Sequence, residues 1–126
     1  MPSPQPGSPS LSVLREAVAS SFDRYLAELE ELVNIDCGSY TPEGVNAVAT
    51  HVEAELARLG ADVRRIPHHP AEGEPPLGDL VVGRLAGNGL RLLLVGHMDT
   101  VFGPGTAAAR PFRGDGDRAT ALAPVI

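Results

Sequence analysis

Apolar residues recur at every third or fourth position between Leu11 and Val33, with charged residues between them. This spacing places the apolar side chains on one face, so the stretch predicts a single amphipathic helix. The turn formers of residues 34–38 should end that helix, with Gly38 as a left-handed cap. Residues 1–10 consist almost entirely of Pro, Ser and Gly, and we expect a disordered tail there because little apolar surface could be buried.

A second helix is predicted between Thr41 and Gly60. Thr41 is a suitable N-cap, Pro42 fits the first helical position, and Gly60 should close the helix. The apolar face of this helix carries Val45, Val48, Val52, Leu56 and Leu59.

Three strands are predicted after the second helix. The first lies within ADVRRIPHH (61–69) and leads into a proline-rich loop, while DLVVGRLAG (79–87) and RLLLVGHMD (91–99) are separated by the turn GNG. The turn favours a hairpin between these last two strands. Because LLLV is apolar on both faces, this strand is expected inside the sheet, covered on both sides. The order of elements predicts an α/β fold.

Composition and charge narrow the possible functions. A chain of 126 residues favours one domain with a single core. The formal net charge of −6, with ten basic residues scattered among sixteen acidic ones, disfavours a nucleic-acid or anionic-membrane partner. Cys37 has no partner for an internal disulfide, and the N-terminus lacks the features of a secretory signal. We therefore expect a cytoplasmic protein that neither binds nucleic acid nor enters a membrane.

The main chemical candidates are His97 and Asp99. Residues two apart share a face of a strand, and ligands of open α/β sheets bind at the carboxyl ends of strands. A neutral imidazole is a good zinc ligand, and a nearby carboxylate can orient it. A hydrogen-bonded polar pair at a turn explains the same spacing, so the spacing alone does not identify a metal.

The wider sequence resembles the M20 family of zinc metallopeptidases, in particular its carboxypeptidase G2-like group of glutamate carboxypeptidases. The resemblance is carried by EGVNAVATHVEAELARLGADV, by RLLLVGHMDTVF and by PFRGDGDRA, and it runs from about Leu26 to Ala119. It implies a partial three-layer α/β zinc-peptidase catalytic domain. It also implies that His97 ligates one of two zinc ions and that Asp99 is a catalytic residue that positions and polarises the metal site.

The same resemblance implies a substrate and an assembly. The substrate would be a small peptide or an N-acyl amino acid, cleaved at the amide beside a C-terminal carboxylate such as glutamate. The full-length form would be a homodimer, assembled through a small domain that is missing here.

The end of the chain departs from the family pattern. Where the family has Gly-Pro-Gly and then an Asp that bridges the two metals, the chain has Ala121, Leu122, Ala123 and, at the Asp position, Ile126. Residues 11–126 are therefore expected to be the N-terminal portion of an M20-type catalytic domain that is inactive alone.

A frameshift after about Ala119 would explain this ending, because the codons of TALA permit Gly-Pro-Gly in the adjacent frame. Sequencing past codon 126 would test this against a divergent natural end or an artificial boundary. The alternative function is a non-catalytic orphan α/β product that at most binds a partner.

The remaining candidates have structural interpretations. We expect His51 on a helix surface, His68 and His69 solvated in a loop, and Cys37 as a small apolar filler of the core. The DGD of residues 115–117 predicts a hairpin turn rather than a calcium loop. Without the rest of a parallel sheet, LLLV should lie exposed and promote aggregation.

Overall fold

The computed structural model describes residues 10–121. The predicted disordered tail, apart from Ser10, and the positions of Leu122, Ala123 and Ile126 lie outside these residues. The described chain forms two compact units that divide between Glu31 and Leu32.

Two helices begin in the first unit where the sequence predicts one. They are α1 (Leu11–Ser20) and α2 (Phe22–Val33), separated at Ser21. The Ser21 hydroxyl and backbone N–H both donate to the carbonyl of Val18, while the Ser21 carbonyl accepts the first hydrogen bond of α2, from Tyr25. A serine side chain that competes for backbone carbonyls in this way interrupts a helix, which the apolar spacing does not reveal.

The second unit is built around α3 (Pro42–Arg58), which agrees with the predicted second helix. Thr41 occupies the N-cap position but makes no side-chain capping hydrogen bond. Gly60 has a φ of 82°, which confirms its predicted role in closing the helix. The α3 residues Gly44, Val45, Val48 and Ala49 are buried.

Two of the three predicted strands form a small antiparallel sheet beside α3. They are β1 (Asp62–Ile66) and β2 (Leu80–Arg84), paired from Asp62 opposite Arg84 to Ile66 opposite Leu80. A side chain at Gly83 would meet Leu56 of α3, so the glycine allows β2 to approach the helix closely. A cluster of buried residues comprises Cys37, Val45 and Val48, and the half-buried residues packed on it are Leu32, Ile35, Val52 and Met98.

The prediction of a buried strand over residues 91–99 is wrong. This segment is irregular, it forms no hairpin with β2 through GNG, and Leu92, Leu93, Leu94 and Val95 are 85–92% exposed. Among residues 10–121, β2 pairs with β1 alone, and nothing covers LLLV. An apolar run indicates that burial would be favourable. A strand must also pair with neighbouring strands, and the run gives no information about these.

The last elements of the second unit are α4 (Thr106–Ala109), β3 (Arg113–Asp115) and β4 (Arg118–Thr120). The two strands pair antiparallel, which confirms the hairpin predicted at DGD, with Gly116 at a φ of 56°. Sequence reasoning did not predict α4.

Side chains just after α2 hold this later part of the unit in place. The two carboxylate oxygens of Asp36 accept hydrogen bonds from the backbone N–H groups of Gly105, at 2.7 Å, and Ala107, at 2.8 Å. Both bonds hold the pKa of the Asp36 carboxyl below its ordinary value, and the bond from Ala107 contributes more than the bond from Gly105. The Asn34 side chain accepts from the backbone N–H of Phe112 at 2.9 Å.

The described residues therefore form a mixed α/β structure with two small antiparallel sheets. None of the helices between residues 10 and 121 combines the length and apolar character that crossing a membrane requires.

Candidate functional site

A short backbone connection brings the His97 segment to the beginning of α3. The backbone N–H of Thr100 donates to the carbonyl of Cys37 at 2.8 Å, and that of Ser39 donates to the carbonyl of Thr100 at 3.1 Å. Together these bonds form a parallel bridge between Gly38 and Thr100. Thr100 is thus held against residues 37–39, although no regular strand precedes it.

Gly38 is required by close packing rather than by a left-handed conformation. Its φ is not positive, so the predicted left-handed cap is wrong. A Cβ at this position would lie 2.5 Å from the carbonyl oxygen of Phe102. Because this is a backbone atom, no side-chain rotation could relieve the clash. The absence of a side chain therefore permits residues 37–39 to lie directly against residues 100–102.

His97 and Asp99 meet as the sequence predicts, although on an irregular segment. Nδ1 of His97 lies 2.8 Å from the backbone oxygen of Asp99 and 3.2 Å from its Oδ1. A carbonyl and a carboxylate oxygen only accept hydrogen bonds, so Nδ1 carries the proton. In the neutral imidazole this leaves the lone pair on Nε2, and the His97 side chain is 82% exposed. His97 thus offers one nitrogen ligand to the solvent.

Ser39 completes the arrangement and was missed by the sequence reasoning. Its hydroxyl donates to Oδ2 of Asp99 at 2.5 Å, across sixty positions of sequence. This hydroxyl makes the largest contribution to holding the pKa of the Asp99 carboxyl below its ordinary value, and His97 contributes less. Ser39 lies in a run of turn formers, and nothing in that run indicates which distant residue its hydroxyl contacts.

The described residues do not fit a complete zinc site. Among residues 10–121, no three His, Cys, Asp or Glu side chains lie close enough together to hold a metal ion. A zinc site needs at least three protein ligands, and His97 alone does not supply them. Cys37 is 5% exposed within the core, which agrees with its predicted role as a filler, and burial raises the pKa of its thiol.

A second polar cluster connects α3 to the β1–β2 sheet. Arg65 donates to Asp79 at 2.8 Å, to Glu53 at 3.0 Å and to the carbonyl of Asn46 at 3.1 Å. Asp79 also accepts from the backbone N–H of His68, and the Arg65 guanidinium is the main cause of the lowered pKa of the Asp79 carboxyl. This cluster holds the helix, the strand and the loop together, so we interpret it as structural.

The other histidines differ among themselves in exposure. His69 is exposed, as predicted. His68 is half-buried, and its Nε2 is buried without a hydrogen-bond partner, so the solvated environment predicted for it is wrong. His51 is half-buried on α3.

The chain is similar to a known protein over most of its length. No protein-family model matches the chain. The chain is 39% identical over 109 residues to carboxypeptidase G2 of Pseudomonas sp. (strain RS-16), and the match covers 86% of this chain and 25% of that protein. The similarity indicates a distant relationship to carboxypeptidase G2. The chain spans about a quarter of the length of this relative.

Proposed function

We propose that the chain is the N-terminal portion of an M20-type zinc metallopeptidase, a carboxypeptidase that hydrolyses the amide beside a C-terminal carboxylate such as glutamate. The observation that carries the proposal is the geometry of His97 and Asp99. The imidazole is held through Nδ1 and leaves Nε2 free. A metal-ligating histidine has the same arrangement, in which a carboxylate or carbonyl fixes the ring from behind.

In this proposal His97 supplies one zinc ligand, and Asp99 orients it and carries negative charge beside the metal. Since the residues between 10 and 121 do not complete a metal site, we assign no hydrolytic step to this chain alone. The remaining ligands would come from a longer polypeptide, in which residues 11–126 would form part of a three-layer α/β catalytic domain. We further propose a cytoplasmic location, a small peptide or N-acyl amino acid as substrate, and a homodimer for that longer form.

A chimera provides the direct test. The matched segment of carboxypeptidase G2 would be replaced with the corresponding residues of this chain, and zinc content, folding and carboxypeptidase activity would be measured. We expect an active, zinc-containing chimera. His97→Ala should remove one metal equivalent and most activity, whereas Asp99→Asn should reduce turnover more than zinc content. The control is His69→Ala, which changes an exposed histidine outside the site and should leave both quantities unchanged.

The isolated chain provides a second measurement. Calorimetry with zinc should give the weak affinity of a single histidine, since one ligand cannot form a tetrahedral site. A folded chimera without zinc, or one whose activity survives His97→Ala, would contradict the proposed function and favour a non-catalytic product.

A further inference from the structure

The Asp99 carboxylate is fixed by two different partners, one at each oxygen. Oδ1 faces Nδ1 of His97 at 3.2 Å, and Oδ2 accepts the hydroxyl of Ser39 at 2.5 Å. The Asp99 side chain is 37% exposed, so without restraint its carboxylate could rotate into solvent. His97 is too exposed to provide that restraint, because 82% of its side chain is in contact with solvent. The firm contact is therefore the one to Ser39.

Ser39 is itself held by the backbone. Its N–H donates to the carbonyl of Thr100, the residue directly after Asp99, and the preceding Gly38 packs against the carbonyl of Phe102. The serine oxygen is one rotatable bond from its backbone, so a fixed backbone restricts it to three staggered positions, one of which faces Oδ2 of Asp99. Residues 37–39 thus present a localised O–H group to Asp99.

We propose that Ser39 is a positioning residue for Asp99, which it holds in the single side-chain conformation that supports the Nδ1–H group of His97. The catalytic meaning of this role rests on the proposed function. The hydrogen bond itself does not, because it is a property of the chain without metal or substrate. Ser39 acts through Asp99 and is not expected to contact substrate.

The test is an NMR measurement on the complete 126-residue chain and its variants. Three-bond Hα–Hβ couplings report whether the Asp99 side chain occupies one rotamer or exchanges among several, and the amide shift of Thr100 reports the backbone bridge. For the original chain we expect the unequal couplings of one rotamer. Ser39→Ala should bring the two couplings to averaged values while the amide shift of Thr100, which donates to Cys37, stays in place. Ser39→Thr keeps the hydroxyl and should restore the original couplings.

Ser20→Ala is the matched control, since it removes a serine hydroxyl that donates to the carbonyl of Ala17 in α1. It should leave the Asp99 couplings unchanged. Unaltered couplings in Ser39→Ala would overturn the proposal, as would failure of Ser39→Thr to restore them. A change of the Thr100 amide to the shift of an unfolded chain, together with averaged couplings, would also overturn it, because Ser39 would then be required for local folding. None of these outcomes depends on zinc or activity, so failure here is distinguishable from failure of the proposed function.

Discussion

The exposed run from Leu92 to Val95 should drive self-association of the chain. Its side chains are 85–92% exposed, so nearly all of their apolar area remains available for burial against another molecule. We therefore consider the double change Leu92→Gln and Leu94→Gln. Glutamine is neutral, so the net charge of −6 is retained and any effect reports apolar area rather than charge repulsion.

The magnitude follows from the area that the two leucines offer. Complete burial of a leucine side chain stabilises by about 1.5–3 kcal/mol, which gives an upper limit of roughly 3–6 kcal/mol for the pair. Association buries part of this area, and glutamine keeps some hydrocarbon, so about 1.4 kcal/mol is a conservative figure and corresponds to a tenfold weaker association. The folded chain itself should change by less than about 0.5 kcal/mol, because both side chains are already in solvent.

Sedimentation velocity over a concentration series measures this effect. The control pair is Leu59→Gln and Leu77→Gln, which are 56% and 41% exposed and lie outside the run. We expect the control pair to associate as the original chain does. The reasoning is refuted if the original chain stays monomeric at high concentration, or if both pairs weaken association equally.

The remaining predictions concern stability. Gly44→Ala should lower the free energy of unfolding by about 1–3 kcal/mol despite the better helix propensity of alanine, because its Cβ would clash with the backbone carbonyl of Asp36. Urea denaturation measures this, and Gly89→Ala, which meets no atom within 4 Å, should have little effect. Asp36→Asn should lower the urea midpoint at pH 7, since an amide has one accepting oxygen where two backbone N–H groups need one each. The pKa of Asp36 is lowered by folding, so its stabilisation is present above about pH 4 and is lost as the pH falls through the folded value. The difference between Asp36→Asn and the original chain should therefore shrink in acid, and a constant difference down to pH 2 would contradict this cause.

Local patterns predicted the elements whose determinants lie within a few residues. The helix α3, its closure at Gly60 and the β3–β4 hairpin all follow from spacing, caps and turn formers. The break between α1 and α2 at Ser21 was missed because it depends on a hydrogen bond from the Ser21 hydroxyl to the backbone carbonyl of Val18. The prediction of a buried strand at residues 91–99 was wrong because a strand forms only where a neighbouring strand from elsewhere in the chain pairs with it.

The candidate site combines one contact between residues close in sequence with another between distant residues. His97 and Asp99 were expected on one face of a strand, and the structure brings them together on an irregular segment, so the contact is confirmed while the reason given for it is wrong. Ser39 is sixty positions from Asp99, and only the folded backbone between residues 37–39 and Thr100 brings them together. A single sequence contains no periodicity that reports such a contact.

The contacts made by residues 34–39 have a consequence for the order of folding. Asn34 and Asp36 bind backbone groups 69–78 positions later, and Ser39 binds Asp99 sixty positions later. Closing loops of this length costs conformational entropy before any contact forms, whereas α3 and its neighbouring hairpin of β1 and β2 close over shorter distances. The His97 and Asp99 pair should therefore reach its final surroundings late, after α3 has formed a surface on which the later segment can dock.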